Sequence, residues 1–291
     1  KNFLKLNKKI KYKVEIKSNH KLGYMNYAEL VIKGKSKKEI LICSYICHPS
    51  LANNELSGIL AISQLSKQLK KSKYTIRLLL IPETIGAIYY INKNLISLKK
   101  NLIASFNLSC VGLNGPFTMI SSVTQNTYAD KVTERVGSKY SNFKSISFVE
   151  RGSNERQFGC QNLNFPFVTI CRKKFGEYKE YHTSADNLSI LNYRAISDTT
   201  NFVKKIVNEI NKNTIYKKNY YCEPFLANKN LIKNFGTVEN MTNIKRKSIS
   251  DFLAFVDKSN DLISLEKQYK IKNINKIAKI LEKNKLISKF F

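Results

Sequence analysis

Residues 46–58, ICHPSLANNELSG, stand between a strand candidate and a helix candidate. The apolar run EILICSYIC (39–47) predicts a buried strand, and the apolar spacing of ELSGILAISQLSKQLKK (55–71) predicts a helix. One of the chain's three histidines, His48, lies where the strand gives way to the helix. Because ligands in open α/β sheets bind beyond the carboxyl ends of strands, His48 marks either a candidate site or a structural packing position.

The alternation of strand and helix continues along the chain. TIRLLLIP (75–82) and LIASFNLSCVG (102–112) are strand candidates, with the helix candidate IGAIYYINKNLISLKK (85–100) between them. Further on, FVTICRK (167–173) predicts another strand and YRAISDTTNFVKKIVNEINK (193–212) a closing helix. We therefore predict an α/β fold with a mostly parallel central sheet flanked by helices.

The sequence divides into three predicted regions. Residues 1–212 form the α/β domain, which would be N-terminally incomplete if residues precede Lys1, and residues 213–247 form a linker or docking arm. Residues 248–291 contain three short stretches of helical apolar spacing and end in a short strand candidate. This pattern predicts a small winged-helix-like module.

Composition narrows the class of protein. With 291 residues, of which 43% are hydrophobic, the chain is large enough for a substantial core. Its formal net charge of +29 is typical of proteins that bind nucleic acid, but lysine, asparagine and isoleucine are abundant throughout instead of being clustered. We therefore expect only nonspecific adhesion to nucleic acid. No membrane partner is expected, because no run reaches the roughly 18 apolar residues of a membrane span. The oligomeric state stays open, a homo-oligomer included.

The six cysteines show no metal-binding or disulfide spacing. They are scattered without a C-x-x-C motif, and several lie in apolar runs. This predicts small buried hydrophobes, with neither disulfides nor a thiolate zinc site. The basic start of the chain lacks the apolar core and cleavage site of a secretory signal, so we expect a cytoplasmic location.

Polar side chains gather at the predicted carboxyl ends of the strands. His48 follows the first strand and Glu83 follows the second. The segments RGSNERQF (151–158) and EYHTSADN (180–187) add two further polar turns, the second of which contains His182. The presence of two histidines and a strand-end glutamate supports a functional site about as well as it supports a purely structural role.

These motifs together resemble those of the zinc aminopeptidases, which have the co-catalytic metallo-exopeptidase fold. The resemblance is strongest to a bacterial branch of aminopeptidase-like proteins that carry a C-terminal winged helix. The matching stretches run in the family's order: ICHPSLANNELSG (46–58), IPETIGAIYY (81–90), SCVG (109–112), RGSNERQ (151–157), EYHTSADN (180–187) and CEPFLANKNLI (222–232). The resemblance implies a metallohydrolase of unknown substrate that cleaves an amide or peptide-like bond with an activated water.

The resemblance also assigns roles to individual residues. His48 and His182 would be zinc ligands, and Glu83 would be the general base that accepts a proton from the attacking water. Two further ligand positions, which are aspartates in the family, correspond here to Asn54 and Asn154. An asparagine offers one neutral oxygen and bridges two divalent ions poorly. The sequence therefore predicts one zinc ion or none, and argues against two. A single ion would be held by His48 and His182, with Glu83 as an alternative third ligand at the cost of the general base.

Four further residues in the same motifs are predicted to contact the substrate or to support the ligands. Arg151, Glu155 and Arg156 would position a substrate terminus, with a structural salt-bridge cluster as the competing interpretation. Tyr181 would donate a hydrogen bond to the tetrahedral oxyanion, with an ordinary core tyrosine as the competing interpretation.

Three functional hypotheses follow. The first is a metallohydrolase with a weakened one-metal site and a small-molecule or peptide-like substrate. The second is a catalytically inactive relative that uses the same pocket to bind a small ligand or a partner, as the two asparagines would allow. The third is nucleic-acid binding through the C-terminal module. It ranks last because residues 248–270 contain no arginine-rich recognition stretch.

Overall fold

A mixed β-sheet forms the centre of the fold. The computed structural model describes residues 7, 9–226, 231, 244–258 and 260–290. Within them, seven strands join in one sheet: β1 (Ala28–Ile32), β2 (Ser36–Tyr45), β3 (Tyr74–Ile81), β4 (Leu102–Leu108), β5 (Thr118–Ile120), β6 (Lys144–Ile146) and β7 (Phe167–Cys171). Their order across the sheet is β1-β3-β2-β4-β7-β5-β6, so the long strand β2 lies in the interior.

The interior strands β3, β2, β4 and β7 run parallel to one another. Residues 39–45 of β2 are all buried, and alternate side chains enter different cores. Ile40 and Ile42 join one core, while Leu41 and Cys43 join the other. This is the near-continuous apolar sequence of a strand that is covered on both faces. The prediction of a mostly parallel, helix-flanked α/β sheet is confirmed.

The strands at the two edges of the sheet join its central strands by antiparallel pairing. β1 pairs antiparallel with β3, while β5 pairs antiparallel with β7 and parallel with β6. β5 and β6 have three residues each, and four of the five residues of β1 are exposed. These strands lack the long buried apolar run that identifies the interior strands. Sequence pattern alone therefore does not predict them.

Helices cover both faces of the sheet. Their bounds in this part of the chain are α1 (Ser57–Gln68), α2 (Ile85–Asn101), α3 (Tyr128–Gly137), α4 (Glu155–Phe158) and α5 (Tyr193–Lys212). α1 and α5 pack against each other on one face, where Leu65 and Phe202 join the same buried core. α2 covers the other face through Ala87 and Tyr90. A π-helical turn, Ala52–Leu56, directly precedes α1.

The C-terminal part of the chain has a second, smaller core. Its described helices are α6 (Ile244–Phe255), α7 (Leu262–Tyr269) and α8 (Ile274–Lys283). β8 (Tyr216–Lys218) pairs antiparallel with β9 (Ile287–Lys289). β8 falls inside the predicted linker, of which residues 227–230 and 232–243 lie outside the described residues. The winged-helix assignment and the domain boundaries stay predictions.

The helices of the described residues differ from membrane-spanning helices. In the described part of the chain, no helix combines the length and the apolar character needed to cross a bilayer. The longest of these helices, α5, has 20 residues, but its buried apolar residues form one stripe that packs against the sheet. Its polar residues occupy the remaining surface, as in an amphipathic helix of a globular domain.

Candidate active site

Parallel pairing brings two loops together at the carboxyl edge of the sheet. β2 and β3 end side by side, where Tyr45 stands opposite Ile81. Just beyond, the backbone N–H of Glu83 donates a hydrogen bond to Cys47 Sγ at 3.1 Å. His48 and Glu83 therefore lie on neighbouring loops that are in direct contact.

The two candidate histidine ligands face each other. The rings of His48 and His182 are 5.5 Å apart between centroids, with 27° between their planes. The Tyr181 ring stacks on His182 at 4.0 Å. His182 is exposed, and its φ of 55° places its backbone in the left-handed region. The loop therefore turns sharply at His182 and presents its ring beside His48.

Glu83 belongs to a tight γ-turn at the start of α2. The Glu83 carbonyl accepts the N–H of Ile85 at 2.7 Å, and the central residue Thr84 has φ 62° and ψ −70°. This conformation is strained for a β-branched residue, at a cost of about 1–3 kcal/mol, and such strain collects at functional sites. The N–H of Thr84 donates to Asn154 Oδ1 at 3.2 Å. Asn154 therefore stabilises the turn that presents the Glu83 carboxyl.

The electrostatic environment of Glu83 differs from that of a surface carboxyl. Burial raises the pKa of the Glu83 carboxyl above its usual range, and the nearby Glu155 carboxylate contributes in the same direction. A hydrogen bond with Ser153 and the nearby basic groups of His48 and Arg156 oppose this rise in pKa. A carboxyl whose pKa is moved toward neutrality is suited to exchange protons near neutral pH.

The two asparagines at the aspartate positions are buried and hydrogen-bonded within the protein. Asn54 Oδ1 accepts a hydrogen bond from the Tyr45 hydroxyl at 2.9 Å and a weaker one from the Cys110 thiol at 3.6 Å. These two donors occupy both lone pairs of that carbonyl oxygen. Asn154 Oδ1 accepts a hydrogen bond from the backbone N–H of Thr84. The residues therefore do not fit a two-metal centre, and no catalytic step is assigned to one.

Asp186, which sequence reasoning passed over, clamps the turn that follows His48. Its buried carboxylate accepts backbone N–H groups of residues 52–54 at 2.6–3.1 Å, and the Tyr178 hydroxyl at 2.9 Å. Residues 52–54 begin the π-helical turn, a feature that is frequent at functional sites. The sequence signal for this role is an acidic residue four positions after His182 in the same polar motif.

The RGSNERQF loop is organised by Glu155. Its carboxylate is fully buried and accepts the backbone N–H groups of residues 152–153 and the hydroxyl of Thr169, at 2.7–2.9 Å. Arg151 and Arg156 are exposed. Glu155 therefore holds the loop in shape, while the two arginines lie at the surface and Arg156 acts on Glu83 through its charge.

A cluster of potential metal-binding groups surrounds His48. The Nδ1 atom of His48 is 3.3 Å from Cys47 Sγ and 3.4 Å from Glu55 Oε2. The three donor atoms all lie within 4.8 Å of one another. Glu55 is buried, and its carboxylate also accepts the backbone N–H of His48. We call Cys47, His48 and Glu55 the His48 cluster.

Sequence reasoning missed two members of this cluster. The scattered cysteines suggest buried packing, whereas Cys47 is exposed beside the site. Glu55 lies one residue beyond Asn54, the position to which the resemblance directs attention. The signal that would have found both is a Cys-His pair at a strand end followed seven residues later by a glutamate.

The donor set of the His48 cluster fits one divalent ion. Imidazole nitrogen, thiolate sulfur and carboxylate oxygen are the donors that zinc takes in proteins, and three protein ligands suffice for a catalytic zinc. Cys47, His48 and Glu55 would hold such an ion. His182 lies beside them, stacked on His48, and its role as a further ligand stays a prediction.

Comparison with known proteins identifies the family of the chain. Residues 12–213 match the model of a family described as a domain of unknown function, DUF4910. The chain belongs to this family. A Clostridium acetobutylicum protein, provisionally named for polysaccharide biosynthesis and an aminopeptidase-like domain, is 34% identical over 232 residues. The match covers 77% of the DUF4910 chain and 52% of that relative, so the chain spans about half of the relative's length.

Solved structures place the DUF4910 chain in the aminopeptidase-like fold. A crystal structure from Clostridium acetobutylicum, provisionally described as a peptidase, has a TM-score of 0.65 at 30% identity and covers 90% of this chain and 60% of its own. BSAP, a zinc aminopeptidase from Bacillus subtilis, has a TM-score of 0.56 at 17% identity, with coverage of 63% and 49%. The likeness to BSAP shows a shared fold alone. The aminopeptidase-like resemblance is confirmed.

Proposed function

We propose that this DUF4910 chain is a metal-dependent hydrolase that cleaves an amide or peptide-like bond with the help of one divalent ion. The observation that carries the proposal is the contact between the Glu83 loop and the His48 cluster. A carboxyl base and a set of metal donors are thereby adjacent at the edge where ligands bind in α/β sheets. The aminopeptidase-like fold supports the same class of reaction.

Glu83 would perform the proton transfers of this reaction. When bound at the His48 cluster, zinc would supply Lewis acidity, which polarises a carbonyl group and makes water more acidic. Glu83 accepts a proton from the attacking water and returns it to the leaving amine. Its raised pKa makes the Glu83 carboxylate a stronger proton acceptor than an ordinary surface carboxylate. The strained turn at Thr84 holds the carboxyl in place for this task.

Tyr181 would stabilise the charge that develops on the substrate oxygen. Burial, together with the nearby Cys110 and Glu83, raises the pKa of the Tyr181 hydroxyl to about 12, so the phenol stays protonated at neutral pH. A protonated phenol can donate a hydrogen bond to an oxyanion. Stacking on His182 restricts the orientation of the ring.

A second candidate function is ligand binding without catalysis. The observation in its favour is the internal hydrogen bonding of Asn54 and Asn154, which leaves two neutral side chains where the family resemblance implies aspartates. In this alternative, the edge of the sheet binds a small ligand or a partner, and zinc binds weakly or not at all.

The test compares the zinc-loaded chain with Glu83→Gln on a panel of aminoacyl and acyl-amino anilides. Hydrolysis should fall by about 10²–10⁴-fold in Glu83→Gln, because the base is lost while the ligands remain. Zinc affinity should be unchanged. Glu266→Gln, which removes an exposed carboxyl far along the chain, is the matched control and should keep full activity.

Two results would argue against the proposal. Hydrolysis that Glu83→Gln leaves unchanged would remove Glu83 from the mechanism. A chain that binds zinc tightly and hydrolyses no substrate in the panel would favour ligand binding without catalysis.

A further inference from the structure

The geometry points to a thiolate-containing metal site formed by Cys47, His48 and Glu55, which takes zinc or a zinc-like divalent ion. This inference deepens the proposed function and rests on its single metal ion. It departs from the sequence expectation, in which the cysteines form no thiolate zinc site. It also moves the carboxylate ligand away from Asn54 and Asn154, the positions that the family resemblance implies.

The spacing of the donor atoms carries the inference. Zinc–nitrogen, zinc–oxygen and zinc–sulfur bonds of 2.0–2.3 Å at tetrahedral angles place neighbouring ligand atoms about 3.3–3.6 Å apart. His48 Nδ1 is 3.3 Å from Cys47 Sγ and 3.4 Å from Glu55 Oε2. The two separations from the imidazole nitrogen therefore already match those of ligands on one ion.

The charges of the cluster support the same assignment. The two asparagines remove two negative charges relative to the aspartates that the resemblance implies. A Cys47 thiolate and the Glu55 carboxylate would supply two negative charges on the loop that follows β2. Glu55 is buried, and within the described residues His48 is the one basic side chain within ion-pair distance of its carboxylate. A bound cation would neutralise this buried charge.

Neighbouring backbone groups hold the donors in place. The N–H of Glu83 donates to Cys47 Sγ at 3.1 Å, and the N–H of His48 donates to the Glu55 carboxylate. Hydrogen bonds of this kind orient metal ligands and are part of a working site. A plain ion pair between His48 and Glu55 would explain their contact, but it would not require the Cys47 thiol to face the same nitrogen.

The ligand set has two consequences for the protein. Glu83 is not needed as a ligand and stays free to act as the base. A thiolate ligand also favours zinc, cobalt and cadmium over magnesium, calcium and manganese. The site should therefore bind zinc, cobalt and cadmium more tightly than magnesium, calcium and manganese. An all-oxygen site would not show this preference.

Cobalt absorption spectroscopy tests the inference directly. The reduced, chelator-stripped chain is titrated with Co²⁺, and a thiolate-to-cobalt charge-transfer band is sought in the near ultraviolet. We expect a band that saturates at one ion per chain and is bleached by zinc. Cys47→Ser should abolish the band, whereas Cys160→Ser, which changes another exposed cysteine, should retain it. Glu55→Gln should retain the band and weaken cobalt affinity by about 10–100-fold.

Several outcomes would overturn the inference. The chain would bind no cobalt, or would bind it without a charge-transfer band. Alternatively, the band would persist in Cys47→Ser, or it would be lost in Cys160→Ser to the same extent as in Cys47→Ser. A thermal melt of each variant identifies any that fails to fold. If the Cys47→Ser variant unfolds, Cys47→Ala replaces it. Alkylation of the wild-type thiol by iodoacetamide gives a second measurement, and bound zinc should slow this alkylation at least tenfold.

The same samples separate this inference from the proposed function. A cysteine-dependent band in a chain that hydrolyses no amide would support the metal site and contradict the proposed hydrolase activity. Amide hydrolysis that is equally fast in metal-loaded Cys47→Ser would keep the hydrolase and reject Cys47 as a ligand.

Discussion

Two pairs of carboxyl groups lie at the same edge of the sheet and differ in what surrounds them. The oxygens of Asp186 and Glu155 accept backbone N–H groups and hydroxyls, which fixes two loops. Glu55 also accepts one backbone N–H, that of His48, but its carboxylate faces the imidazole of the same residue, and Glu83 lies on the loop that contacts Cys47. The first pair forms a structural framework, and in the proposed function the second pair would bind the metal ion and transfer protons. Residue type alone does not separate these roles.

Removal of a framework carboxyl should have the largest effect on stability. Asp186→Ala leaves the buried backbone N–H groups of Asn53 and Asn54 and the Tyr178 hydroxyl without their acceptor, while the N–H of Ala52 keeps the backbone carbonyl of residue 186. We expect the free energy of unfolding to fall by about 3–5 kcal/mol, as measured by urea denaturation. Asp186→Asn keeps one acceptor oxygen and should lose less. A loss below about 1 kcal/mol for Asp186→Ala would show that the clamp is not part of the framework.

Restoring the missing charges should have the next largest effect, on metal affinity. Asn54→Asp combined with Asn154→Asp adds one carboxylate next to Glu55 in the sequence and one at the side chain that contacts the Glu83 turn. Zinc should then bind at least tenfold more tightly in calorimetry, which corresponds to about 1.4 kcal/mol. Asn92→Asp, on the exposed face of α2, controls for net charge and should leave the affinity unchanged. No gain in the double variant would mean that these positions do not face the ion.

Relief of the strained turn should stabilise the fold modestly. Thr84→Gly allows a positive φ without steric conflict, so we expect the free energy of unfolding to rise by up to about 1 kcal/mol. Thr84→Ala keeps a Cβ atom and should give a smaller gain. Paired denaturation curves measure the difference, and destabilisation by the glycine would contradict the assignment of strain at Thr84.

The smallest expected effect concerns the charge on Glu83. Because the folded state raises the pKa of Glu83, ionisation of this group opposes folding increasingly as the pH rises above the usual value of 4.5, and the cost is complete above the raised pKa. The metal-free Glu83→Gln variant should therefore be slightly more stable than the wild type at neutral pH. The advantage should fade as the pH falls through the raised pKa toward the usual value of 4.5. Denaturation at several pH values measures it, and an advantage that grows in acid would reverse the predicted sign.

The centre of the fold could be predicted because its strands are buried on both faces. The apolar runs at 39–47, 75–82, 102–112 and 167–173 each overlap most of an interior strand, and their order implies the parallel core. The edge strands β1, β5 and β6 could not be predicted in the same way. They are short or exposed, so the sheet that they join determines them more than their own sequences do.

The candidate site was predictable only in part, for a physical reason. His48, Glu83 and His182 stand at strand ends or in polar turns, where sequence position already suggests exposure to a ligand. Cys47 and Glu55 depend on how the chain turns after β2, and that turn is set by Asp186, more than 130 residues away in sequence. Tertiary contacts of this kind leave no local pattern.

Zinc titration of the purified, chelator-stripped chain by calorimetry tests the central claim most directly. The account predicts one ion per chain, bound with a submicromolar Kd that His48→Ala abolishes. Two bound ions, no measurable binding, or binding that His48→Ala leaves unchanged would contradict a one-metal centre at His48.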